Sequence, residues 1–129
     1  MDGDWWMVKV KDHKDLHVWQ RAMQLVISVY GLLGGFPQSE RFGLSDQIRR
    51  SSVSIPSNIA EGSARKSTKE FIQFLYIALG SAAELETQLI IAKDLGFSAA
   101  ESLHAQLEEL TIIRKQLNAL VSSLKSKGS

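Results

Sequence analysis

The chain has 129 residues, 15 Lys and Arg against 14 Asp and Glu, no cysteine, and 44% hydrophobic residues. Those values describe one soluble globular domain with a single core, and they exclude a disulfide framework, a thiolate metal site and a cysteine nucleophile. A net charge of +1 excludes nucleic-acid binding driven by bulk charge and leaves only local patches for that role. The apolar, charge-free run Leu25–Pro37 is shorter than the ~20 residues a membrane span requires. Asp2 and Asp4 precede Trp5 and Trp6 where a secretory leader would be basic. The expectation is a cytoplasmic protein with no membrane partner.

Residues 1–14 mix charges with aromatics without a period and read as an N-terminal arm. A first helix is predicted over 15–34, with Asp15 as N-cap and Leu16, Trp19, Met23, Val26, Tyr30 and Leu33 on its core face. His17, Arg21, Gln24 and Ser28 form the opposite stripe, although beyond Arg21 the helix is apolar nearly all round. Gly34, Gly35 and Pro37 end it. A second helix over 42–61 places Leu44, Ile48, Ser52, Ile55 and Ile59 inward and is closed by Gly62. Pro56 removes a backbone donor within it and predicts a kink or break near Ser52–Pro56.

Ser67–Glu70 is a capping box opening a third helix over 68–94. Its seam is Phe71, Leu75, Ala78, Ala82, Leu85, Leu89 and Ala92, and Gly96 is the residue that stops it. A second capping box, Ser98–Glu101, opens a fourth helix over 99–125 with the seam Leu103, Leu107, Leu110, Arg114, Leu117, Val121 and Leu124. Residues 126–129 read as a frayed tail. Four long helices joined by short turns define an all-α, antiparallel up-and-down four-helix bundle over 15–125.

Chemistry-bearing residues are few. His13 and His17 have metal-compatible spacing, yet no Glu-x-x-His partner stands on another helix. No nucleophile with a base, and no glycine-rich phosphate loop, is present, so no catalytic residue, cofactor or metal is expected. Arg114 on the fourth seam needs a partner, and Glu84 and Glu86 flank Leu85 on the neighbouring helix; they are expected to form a structural charge pair. Arg49, Arg50, Arg65, Lys66 and Lys69 fall within 21 positions. They form the candidate nucleic-acid or anion site, beside the amides that start the third helix. Ile72, Phe74, Tyr76, Ile77 and Leu79 lie beside the third seam. A helix apolar on several sides must be buried on several sides, so these five are the candidate oligomer interface. A small-molecule enzyme or metal carrier using the bundle core is the alternative reading.

Phe42–Leu89, including Ser-Ile-Pro-Ser-Asn-Ile-Ala-Glu-Gly at 54–62 and Ala-Glu-Leu-Glu-Thr-Gln-Leu at 83–89, resembles the four-helix bundle proteins encoded in intervening sequences of bacterial 23S ribosomal RNA genes. Asp15–Leu25 resembles the first helix of the same family. The resemblance implies a homopentamer around a central channel and no established catalytic activity. A similar branch, the accessory variability proteins of diversity-generating retroelements, works with a reverse transcriptase and nucleic acid but is markedly basic. The resemblance therefore makes self-association the expected partnership, with RNA or a protein as the second.

Overall fold

The computed structural model describes residues 12–128. Most of the expected arm, and Ser129, lie outside the described residues. Four α-helices follow in order: α1 His17–Leu33, α2 Leu44–Ser63, α3 Thr68–Asp94 and α4 Ala100–Gly128. Short 3-10 turns at His13–Asp15 and Gln38–Glu40 precede α1 and α2. The helices stand in a square. The packed pairs are α1 with α2, α2 with α3, α3 with α4 and α4 with α1. Phe36, after α1, meets Phe97, before α4, with ring centroids 5.8 Å apart. The α1–α2 connection and the α3–α4 turn therefore share one end of the bundle.

Helix boundaries follow local chemistry. The Ser67 hydroxyl accepts from the Glu70 amide at 3.1 Å, which caps α3, and donates to the Glu70 carboxylate at 3.1 Å. At the other end of α3, the Phe97 amide donates to the Ala92 carbonyl at 2.9 Å and the Gly96 amide to that of Lys93 at 3.0 Å. With Gly96 at φ 75°, this is a Schellman stop.

Other expected boundaries are corrected. The 3-10 turn absorbs Asp15, Leu16 occupies the α1 cap without a side-chain bond, and Asp12 caps the turn by accepting from the Lys14 amide. Ala99 supplies the first accepting carbonyl of α4, so Ser98 does not cap it. The helix then continues to Gly128, past the expected end at 125. The Glu40 carboxylate holds the first amide of α2 at 3.1 Å. Gly62 does not end α2 but lies buried inside it. A β-carbon there would come within 2.7 Å of Phe74 Cβ. α2 does not break at Pro56, which lies inside the continuous helix.

The core comprises Val18, Ala22, Leu25 and Val29 of α1, Ile48, Ile55 and Ile59 of α2, and the expected α3 seam from Leu75 to Ala92. Leu103, Leu110, Ile113, Leu117, Val121 and Leu124 complete it from α4. One expected phase, in α1, and two expected places, in α4, are wrong. In α1 the buried stripe is rotated by about one residue: Met23 and Tyr30 are exposed, with Trp19 partly buried. Because α1 is apolar on several faces, composition alone does not select its inner face. In α4, Gln106 and Ile113 take the inward places expected for Leu107 and Arg114. The Gln106 amide nitrogen donates to Ser28 Oγ on α1 at 2.6 Å, while its buried carbonyl oxygen has no hydrogen-bond partner among the described residues.

The α2–α3 contact is built from small and polar residues. Ser51 donates to Gln88 Oε1 at 2.6 Å, and the Ser54 and Ser81 hydroxyls meet at 2.7 Å. Asn58 donates to the Ser54 carbonyl at 2.8 Å. Paired in this way, these groups can be buried at little net cost. By length and composition α3 is long and apolar enough to cross a membrane, unlike the shorter run Leu25–Pro37. Its inner stripe fills the bundle core, and Glu84 and Glu86 stand midway along it.

Candidate interaction surfaces

Among the described residues, no three His, Asp or Glu side chains converge. His13 sits edge-on to Trp19 with ring centroids 5.0 Å apart, and its Nδ1 is 3.3 Å from the Asp12 carboxylate. Two open depressions flank α2. One, of about 470 Å³, is lined by Tyr30, Asp46, Arg49, Arg50, Val53 and Ser54. The other, of about 310 Å³, is lined by Gln47, Arg50, Ser51, Ser54 and Glu84. In neither does a serine hydroxyl hydrogen-bond to a carboxylate: Ser51 donates to Gln88 and Ser54 pairs with Ser81.

The five basic candidates do not form one patch. Arg50 and Arg65 are separated by most of α2, roughly 20 Å at the helical rise. Arg49 donates to the Arg41 carbonyl at 2.9 Å and has no carboxylate partner among the described residues. Arg50 pairs with Asp46 at 2.9 Å. Arg65 lies over the Phe74 ring, 4.9 Å from its centroid. Lys66 and Lys69 are exposed on the α2–α3 turn and form no ion pair among the described residues. The basic end of α4 lies nearby, since Lys125 sits 5.4 Å from the centroid of the Tyr76 ring. The fold therefore brings Lys125 of α4 towards the turn group and separates Arg49 and Arg50 from it.

Arg114 is not at the centre of the bundle. Its guanidinium lies at the α3–α4 rim, 31% exposed, with both terminal nitrogens 3.0 Å from Glu86 Oε1. Glu84 takes no part and is exposed on the α2 side of α3, without an ion pair among the described residues. The sequence reading missed a second interhelical pair. Arg21 grips Glu109 with two nitrogens, at 2.6 and 2.9 Å. That hydrogen-bonded pairing raises the Arg21 pKa above its ordinary value. By spacing Arg21 belongs to the stripe opposite the expected core face, and only the α1–α4 register reveals its partner.

The candidate oligomer residues also divide. Ile72 and Leu79 pack against the core, and Phe74 is half-buried beside Gly62. Tyr76 and Ile77 are exposed, by 46% and 51%. Further along the same helix Ile90 and Ile91 are exposed too. With Gly80, Ala83 and Thr87 between them, they make one strip along α3. A second strip, Met23, Ile27 and Tyr30 with Val53 of α2, lies on the other side of the molecule, and Ile27 is 70% exposed.

The molecule is thus a four-helix bundle with two apolar outer strips and no catalytic constellation among its described residues. Residues 14–119 match the family model described as 23S rRNA-intervening sequence protein. The chain belongs to that family. It is also similar to the crystal structure of a protein of unknown function from the S23 ribosomal protein family of Bacteroides thetaiotaomicron, at 28% identity and TM-score 0.73. That alignment covers 81% of this chain and 97% of the other. Among curated proteins, none is significantly similar to the chain.

Proposed function

We propose that the protein is a cytoplasmic, non-enzymatic assembly unit, a homo-oligomeric ring that presents a binding surface. The carrying observation is the pair of exposed apolar strips on α1 and α3. Large apolar side chains gathered on two outer faces of so small a bundle are what a second subunit covers. Family resemblance makes five the expected subunit number. Sedimentation at micromolar concentration tests this, with a multiple of 14.3 kDa expected. A single monomeric species overturns it.

A polyanionic ligand such as RNA is the second part of the reading. It is supported by Lys66 and Lys69, free of ion pairs among the described residues, beside the basic end of α4. A ring repeats this end once per subunit, so weak contacts add. RNA affinity is expected to fall steeply with salt, and to fall in an Arg65/Lys66/Lys69 triple alanine variant. Equal affinity for both proteins, or none at low salt, leaves protein interaction as the function of the surface.

A further inference from the structure

The two strips are unlike. The α3 strip is flat, with Gly80, Ala83 and Thr87 between larger apolar ends. A β-carbon on Gly80 would meet nothing within 4 Å. The α1 strip is bulky and borders the depression of about 470 Å³ beneath Tyr30 and Val53. α1 and α3 are diagonal in the square, so the two strips lie on separate faces of the molecule. Their charges are opposite as well. Among the described residues, Arg49 lines the depression without a carboxylate partner, and Glu84 stands beside the α3 strip without an ion pair.

Resting on the self-assembly reading above, we infer that the α3 strip of one copy docks on the α1–α2 depression of the next, with Glu84 meeting Arg49. Such a contact is heterologous: each copy uses one strip to give and the other to receive. Closure into a ring whose axis parallels the helices adds a second condition, because rotation about that axis leaves heights unchanged. Leu33 and Asp94 mark the same end of the bundle. Ile27 lies six residues below Leu33 and Thr87 seven below Asp94, roughly 9 and 10 Å down the helices. The two therefore stand at matching heights on the two strips. Arg49 and Glu84 differ in height by roughly 8 Å, within the combined reach of two long side chains.

The cysteine-free chain makes the test clean. Ile27→Cys and Thr87→Cys are prepared separately, checked for assembly by sedimentation, and treated with a short bismaleimide singly and as a mixture. The mixture is expected to yield a cross-linked dimer and each single variant none. Self-cross-linking of either single variant, or no cross-link in an assembled mixture, overturns the head-to-tail contact while leaving self-assembly intact. A wild-type protein that sediments as a monomer overturns both, and one that floats with lipid vesicles as well assigns the apolar strips to a lipid surface. In a second arm, Arg49→Glu and Glu84→Arg each weaken assembly about tenfold and the double exchange restores it. Equal and additive effects refute the pairing.

Discussion

Gly62→Ala tests the reasoning about α2 and α3 most sharply, because two effects oppose each other. Within a helix the exchange by itself stabilises by about 1 kcal/mol. Here the new β-carbon would stand 2.7 Å from Phe74 Cβ, 3.0 Å from Phe71 Cδ1 and 3.3 Å from the Phe71 carbonyl. The nearest atom is fixed to the α3 backbone, so no rotamer change relieves the clash and the helices must separate. Overpacking of this kind costs about 1–3 kcal/mol, and the upper part of the range applies to an immobile neighbour. The net expectation is a loss of about 1–2 kcal/mol, or roughly 5 °C in Tm for a chain of this size. Chemical denaturation at one protein concentration measures it. Gly31→Ala is the control: its β-carbon meets nothing within 4 Å and should gain about 0.5–1 kcal/mol. A Gly62→Ala protein as stable as wild type would refute the close-approach argument.

Further outcomes follow from other positions. Gly96→Ala forces a side chain into φ 75° and should cost about 1–2 kcal/mol in thermal unfolding. Leu85→Ala empties a fully buried place and should cost about 2–5 kcal/mol by urea titration. Arg114→Ala should destabilise more than the joint Arg114→Met, Glu86→Leu exchange, because the single change strands Glu86 at the rim; a double-mutant cycle reads the difference. The Lys14 amide bonded to Asp12 holds that carboxyl below its ordinary pKa of 3.8. Its contribution is present above the ordinary value and lost as pH falls through the lowered one. Wild type and Asp12→Asn should therefore converge in stability in strong acid and diverge at neutral pH.

The fold was legible wherever local chemistry is decisive. The Ser67–Glu70 box and Gly96 mark both ends of α3, and its seam from Leu75 to Ala92 is buried as the spacing requires. Legibility failed where several faces compete. α1 is apolar on more than one side, so its inward phase is set by packing against α2 and the distant α4 rather than by its own composition. In α4 a Gln and an Ile displaced the expected Leu107 and Arg114 because Ser28 offers Gln106 a partner. The surface was half legible. Apolarity beside the α3 seam pointed to Tyr76 and Ile77, but Ile90, Ile91 and the whole α1 strip emerged only with the helices in place. Sequence proximity also joined Arg49 and Arg50 to Lys66 and Lys69, which the length of α2 separates.

The square arrangement carries a kinetic consequence. Three of its four sides join helices that are consecutive in the chain, and such local contacts form fast. The fourth side, between α1 and α4, closes across a long stretch of sequence, as the Arg21–Glu109 and Ser28–Gln106 bonds show. On the ribosome, α1 must therefore wait for nearly the whole chain to emerge before its second neighbour arrives. During that interval the inner stripes of α1 and α3 lack their α4 partner, and an α4 donated by another nascent chain fits the vacancy equally well. Domain exchange during synthesis is thus a characteristic hazard of this topology, and crowded polysomes are where it would be greatest.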